Sequence, residues 1–157
     1  MKEANNSKQL REMIRILERK LGALDDFQIT CCGITMAQCH ALVEIGRAKN
    51  ISLNELAEIL NLESSTMSRT VNNLVTNELA KRDIDPKDRR YVTIALTESG
   101  NKLFRDIEES MSLFYSKVYS YLPEDKREQV MESLQILLTA IGETECCRIG
   151  DDVNDSK

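Results

Sequence analysis

The stretch Ser64-Ser65-Thr66-Met67-Ser68-Arg69-Thr70-Val71-Asn72-Asn73-Leu74-Val75-Thr76-Asn77, followed shortly by Asp85-Pro86-Lys87-Asp88-Arg89-Arg90, decides the reading of this chain. At 100° per residue, Met67, Val71, Leu74 and Val75 gather on one side of a helix. Ser65, Arg69, Asn72, Asn73 and Thr76 gather on the other. That outer side carries donors and acceptors of short reach, one Arg and no acid before Glu78. Arg pairs with guanine, Asn with adenine, and hydroxyls with either base or with phosphate. The first backbone N–H groups of such a helix also suit a phosphate. A plain solvated helix is the alternative. In an acidic protein that helix would mix Glu and Lys, whereas this one starts with Ser64, Ser65, Thr66 and Ser68, which are weak helix formers.

Working outward, two capping boxes precede this helix. Thr35-x-x-Gln38 opens a helix to about Ala48, with Met36, Cys39, Leu42, Val43 and Gly46 on one side and Asn50 as its left-handed terminator. Ser52-x-x-Glu55 opens a short helix with Leu53, Leu56, Ala57 and Leu60 inward, and Asn61 to Ser64 is a tight connection. After the decisive helix, Lys81 to Asp85 and Tyr91 to Leu96 read as short strands around a polar tip. The second strand alternates Val92, Ile94 and Leu96 against Tyr91, Thr93 and Ala95. Two short helices joined by a tight turn, then a hairpin, is the order of a winged helix-turn-helix. The basic tip, Lys87, Arg89 and Arg90, suits a minor groove or flanking phosphates, with Asp88 placed to brace Arg90. Alone, a charge run of this kind is more often a solvated turn.

Longer helices flank this centre. Leu10, Ile14, Leu17, Leu21 and Leu24 form a narrow, heptad-like seam among charges, the mark of a helix that packs on another helix. Asp25 to Gly33 then reads as a loop carrying Cys31 and Cys32. Thr97 caps a helix with Leu103, Ile107, Met111, Phe114 and Val118 on one stripe. Pro123 sits at a first helical position, and Val130, Leu134, Leu137 and Ile141 mark the last helix. The predicted fold is mainly α with a small β-hairpin wing (α+β), with N- and C-terminal helices forming a dimerisation region.

The 157 residues suit a single domain with a real core, and the absence of Trp, two Pro and six Gly argue against an all-β design. A net charge of −5 speaks against nucleic acid until it is located. Residues 63–90 carry six bases and five acids, leaving −6 on the remainder, so the basic tips are offered away from an acidic body. No apolar leader and no run near the roughly 18 residues of a membrane span is present, so a cytoplasmic protein with no membrane partner is expected.

The stretches Ser52 to Ala57, Ser64 to Leu74, and Asp85 to Arg90 followed by Leu96-Thr97-Glu98-Ser99-Gly100 resemble the MarR family of bacterial transcription regulators. The Asp-x-Arg wing with Leu-Thr-x-x-Gly behind it is the most specific mark, and the helix order matches over about residues 8–144. The resemblance implies a homodimer on double-stranded DNA at a pseudo-palindromic operator, with release by a ligand or oxidant. It divides the chain into dimerisation helices at 8–34 and 101–145, a DNA-binding lobe at 35–100 and an acidic tail at 146–157. It implies that Ser65, Thr66, Ser68, Arg69, Asn72 and Asn73 face the major groove, and that Arg90 enters the minor groove braced by Asp88. The sequence departs from the family pattern at Glu78, where Gly is usual, which leaves Asn77 as the expected left-handed residue.

Five cysteines fall as Cys31-Cys32, Cys39 and Cys146-Cys147. In a reducing compartment they are free, metal-binding or sensing rather than disulfide-forming. Two soft-thiol clusters suit a thiophilic metal or a metalloid such as trivalent arsenic, and equally suit oxidation. A helix start next to Cys31 and Cys32 would favour their reactivity. Cys39 equally fills a core position, and the lone His40 reads as a structural hydrogen-bonder. No cofactor is required. A thiol-based metal binder without DNA readout, and a regulator sensing an apolar small molecule, are the competing readings. No G-x-S-x-G, Walker A, H-E-x-x-H or C-x-x-C is present, so an enzyme is not expected.

Overall fold

A computed structural model describes residues 2–84 and 92–143 of the chain. It holds α1 (Lys2–Cys32), α2 (Met36–Ala48), β1 (Ile51–Ser52), α3 (Leu53–Ile59) and α4 (Ser64–Thr76). These are followed by β2 (Ala80–Ile84), β3 (Val92–Leu96), α5 (Glu98–Ser120), a 3-10 turn (Glu124–Lys126) and α6 (Arg127–Glu143). The chain divides into two compact units between Ser110 and Met111. The mainly helical fold with a small antiparallel sheet agrees with the sequence reading.

Both expected capping boxes form. Thr35 Oγ1 accepts from the Gln38 N–H at 3.3 Å, while Gln38 Oε1 accepts from the Thr35 N–H at 3.1 Å. Ser52 and Glu55 repeat the exchange at 3.2 and 2.9 Å. Each box satisfies two helix-start donors and so fixes where α2 and α3 begin. Hydrogen bonding from the Ser52 side chain, and then from its backbone N–H, holds the Glu55 carboxyl below its ordinary value.

The core of the first unit is made by α2, α3, α4 and the sheet. Leu42, Ile45, Leu56, Met67, Val71, Leu74 and Ile94 are fully buried. Each large apolar side chain so buried contributes roughly 1.5–3 kcal/mol of transfer free energy. The α4 stripe predicted from periodicity is therefore the one that packs. Thr70 joins it because its hydroxyl donates to the Thr66 carbonyl at 3.1 Å, leaving a methyl group for the core.

The sheet runs β1-β3-β2, antiparallel throughout. Two-residue β1 was not foreseen, since a pair of residues cannot display alternation. Ile51 pairs with Ile94 and Ser52 with Thr93. The expected alternation of β3 holds only in part: Val92, expected with the inward set, is exposed, and Ala95 is buried as well as Ile94 and Leu96 on the approach to α5.

Four local expectations are corrected. The loop expected over 25–33 is helical as far as Cys32, and the helix stops at Gly33 with φ +67°. Residues 25–32 include neither Gly nor Pro, and the small propensity costs of Asp, Gln, Thr and Cys do not break a helix. Cys31 and Cys32 thus occupy the last turn of α1, so the helix-start argument for their reactivity falls. The positive φ ending α2 belongs to Lys49 (+66°), not Asn50, because Lys49 is the residue that closes the helix, its N–H donating to Ile45 O at 2.9 Å. After α4 it belongs to Glu78 (+57°), while Asn77 stays at φ −83°. Lastly, Pro123 precedes a 3-10 turn, and α6 starts only at Arg127. Within the second unit, Arg127 secures this corner by donating to Leu122 O at 3.3 Å and lying 5.0 Å over the Tyr119 ring.

Candidate nucleic-acid interface

Helix α4 is positioned by its two ends. At its entry, α3 closes with Asn61 at φ +50°, where the Asn61 N–H donates to Glu58 O and the Leu62 N–H to Ala57 O. This left-handed cap turns the chain sharply into α4. Glu63 takes the N-cap position without a side-chain cap, and Met67 N–H donates to Glu63 O at 2.9 Å. The first turn, Ser64-Ser65-Thr66, is exposed, and its backbone N–H groups have no partner within the helix.

At its exit, Glu78 N–H donates to Val75 O at 3.0 Å and Leu79 N–H to Leu74 O at 2.9 Å. That is a Schellman closure with Glu78 in the place glycine favours. The Leu-Thr-x-x-Gly motif then locks this turn. Thr97 Oγ1 donates to Glu78 O at 2.6 Å and accepts the Gly100 N–H at 3.0 Å, while Thr97 N–H donates to Leu79 O at 3.1 Å. A Cβ on Gly100 would lie 1.9 Å from the Leu79 carbonyl oxygen. The motif is thus the joint between the end of α4 and the start of α5.

Between these ends, the residues expected to face DNA share the outer side. Ser65, Thr66, Arg69, Asn72 and Asn73 are exposed and Ser68 is half-buried, opposite the buried Met67, Val71 and Leu74. Arg82 of β2 adds to this side: its Nη2 donates to Asn72 Oδ1 at 2.6 Å. Sequence reading missed Arg82. The signal lay in strand alternation: Lys81 and Asp83, which pair at 3.0 Å, take one face of β2 and leave Arg82 on the other. Lys87, Asp88, Arg89 and Arg90 lie outside the described residues. The strands leading to them are paired to their ends, Ile84 opposite Val92.

The cysteines are not brought together among the described residues. Cys39 is buried in α2 with 5% exposure, which suits core packing. Cys31 and Cys32 are placed only by their backbone in α1, and Cys146 and Cys147 lie outside the described residues. No group of three His, Cys, Asp or Glu able to hold a metal occurs among the described residues, and His40 is exposed. No described helix is long and apolar enough to cross a membrane.

Known proteins share this arrangement. The MarR family model matches residues 34–92, the stretch from the start of the α2 cap to the start of β3. The HTH-type transcriptional regulator BilQ of Clostridium symbiosum is 30% identical over 122 residues, covering 72% of this chain and 83% of BilQ. The HTH-type transcriptional repressor MdtR of Bacillus subtilis is 25% identical over 97 residues, covering 62% of this chain and 63% of MdtR. The structure of S. aureus MepR in its DNA complex superposes with a TM-score of 0.72 at 25% identity, over 83% of this chain and 96% of MepR. The chain belongs to the MarR family of winged-helix, DNA-binding transcription regulators.

Proposed function

We propose that this protein is a homodimeric transcriptional repressor that reads a pseudo-palindromic operator on double-stranded DNA in the cytoplasm. The observation that carries the reading is the outer side of α4: a run of Ser, Thr, Arg and Asn, exposed and free of acid between Ser64 and Asn77. Arg69, Asn72 and Asn73 address base edges, with Ser65, Thr66 and Ser68 on bases or phosphate. Lys87, Arg89 and Arg90 supply the wing contacts, with Asp88 bracing Arg90. Two such helices related by a two-fold axis enter major grooves about 34–36 Å apart.

Dimerisation through 8–34 and 101–145 is supported by apolar side chains left in solvent. On α1, Leu10 and Met13 are 47% and 62% exposed. In the second unit, Tyr121, Leu113, Ile136 and Leu138 each exceed 60%. Exposed apolar groups in this number mark an interface rather than a free surface. The repressor role draws support from MdtR, a relative named as a repressor. DNA reading draws support from MepR, whose structure is a DNA complex. The fold and relatives are those of regulators, and no catalytic role is assigned.

Release by a thiol-reactive stimulus acting on Cys31, Cys32, Cys146 or Cys147 completes the proposal, with the buried Cys39 assigned to packing. It rests on the two adjacent cysteine pairs. A stimulus that changes the spacing of the two reading helices weakens DNA binding.

Gel-shift titration with the DNA upstream of the protein's own reading frame tests the DNA side. Arg69→Ala is expected to cost about 1–3 kcal/mol at each half-site and to relax selectivity there. Unchanged operator affinity in both Arg69→Ala and Arg90→Ala would refute the assigned roles. Operator binding with and without arsenite or peroxide, repeated on Cys-to-Ser variants, tests the effector side. A response unaltered by every variant would favour an apolar effector. Tight metalloid binding with no DNA affinity at low salt would favour the thiol-based binder.

A further inference from the structure

We infer that Arg82 sets the base preference of α4 by holding Asn72 with its amide nitrogen turned outward, so that Asn72 reads guanine rather than adenine. The inference rests on the proposed DNA-reading side and assigns a specificity to one of its residues. The bond from Arg82 Nη2 to Asn72 Oδ1, at 2.6 Å, is short and charge-assisted. A guanidinium only donates, and in a carboxamide only the oxygen accepts. The bond therefore fixes which way the amide faces. Asp83, the adjacent acid, is held by Lys81 on the opposite face of β2 and leaves the guanidinium to Asn72.

Reading adenine takes both arms of an Asn amide, the oxygen accepting from N6–H and the nitrogen donating to N7. Oδ1 keeps a second lone pair, but a guanidinium 2.6 Å away repels a further donor such as adenine N6–H, so the N–H pair is what Asn72 offers. Guanine presents two acceptors, N7 and O6, on its major-groove edge and matches that pair. Holding the side chain before DNA arrives also lowers the ordering cost of the contact. Arg82 is in this account a positioning residue that acts through Asn72.

The test is selection from duplexes with randomised half-sites, using the full-length chain. Asn72→Ala locates the contact as the symmetric pair of positions whose preference it erases. The wild type is expected to select guanine there by roughly tenfold. Arg82→Ala is expected to lose that preference, or turn it towards adenine, at that pair and nowhere else. Arg82→Lys is expected to keep part of the guanine preference, because an ammonium also only donates and so holds the same amide oxygen. Both side chains are exposed, so unchanged melting temperatures should accompany these shifts. Adenine selected by the wild type at that pair would overturn the inference. So would uniform weakening by Arg82→Ala with a salt slope reduced by about 1, the mark of a phosphate contact. A wild type with no sequence selection would refute DNA reading itself. Selection by the wild type that is indifferent to Arg82 would refute the inference alone.

Discussion

Replacing Gly100 by Ala is the sharpest test of how α4 is held, because two effects of opposite sign compete there. Ala is the better helix former, and in an ordinary helix interior the change would stabilise by about 1 kcal/mol. Here the new Cβ would sit 1.9 Å from Leu79 O and 2.9 Å from Leu79 C, both backbone atoms that no rotamer change can remove. The turn after α4 would have to lift by about an ångström. Overpacking of this kind costs about 1–3 kcal/mol. Lifting also strains the Thr97 bonds to Leu79 O and Glu78 O, now 3.1 and 2.6 Å, at about 1 kcal/mol each. The balance is a destabilisation of roughly 2–4 kcal/mol, or a fall in melting temperature of about 4–16 °C for a chain of this size. Thermal unfolding at one fixed protein concentration, followed by circular dichroism, reads it. The same variant should lose operator affinity, since the exit of α4 moves. A Gly100→Ala protein as stable as the wild type, or more so, would show that α5 does not press on the Leu79 carbonyl.

Further outcomes follow from the same geometry. Glu78→Gly should raise the melting temperature by about 2–4 °C, since relieving one left-handed side chain is worth on the order of 1 kcal/mol; an unchanged or lower value would contradict the cap. The Glu55 box should be acid-sensitive. A carboxyl held below its ordinary pKa contributes fully above that ordinary value and loses its contribution as pH falls through the depressed one. The stability gap between wild type and Glu55→Ala should therefore close in strong acid, and a gap constant with pH would refute the capping role. Gly46→Ala would put a Cβ 2.6 Å from the Phe104 ring, so it should destabilise, and Phe104→Leu in the same chain should recover part of the loss.

What could be read in the sequence divides by the range of the forces involved. The buried side of α4 was legible because Met67, Val71 and Leu74 repeat with the helical period and no other element needs to be known. Thr35 and Ser52 were legible because a capping box is closed within four residues. The end of α1 was not: Asp25 to Cys32 drops the apolar seam without any residue that stops a helix, and loss of pattern was mistaken for loss of helix. Glu78 was misjudged because intrinsic preference points to Asn77. The closing bonds from 78 to 75 and 79 to 74 set the register of the turn instead, and Thr97 holds it from nineteen residues away. Arg82 was invisible for the same reason, since its role exists only once β2 lies beside α4.

These long-range ties bear on how a signal would reach the DNA side. The first half of α5 is fastened to the reading lobe at three points. Gly100 lies under the Leu79 carbonyl, Phe104 lies against Gly46, and Glu108 accepts from Arg47 Nη2 at 3.0 Å. The last is an exposed pair, worth well under 1 kcal/mol, and steers little. The first two are contacts against backbone with no spare space, and packed contacts transmit displacement rather than absorb it. A shift of the first turn of α5 must therefore carry the Glu78–Leu79 turn with it, and with that turn the C-terminal end of α4. Asn72 and Asn73 sit within two turns of that end, so they should respond before Ser65 and Thr66, which are set by the Asn61 corner at the other end. Loosening the joint by Thr97→Ala should consequently blur base selection at the positions we assign to Asn72 and Asn73 while leaving those assigned to Ser65 intact. Equal blurring across the whole half-site would mean that α4 moves as a rigid rod and that the joint does not set its exit independently.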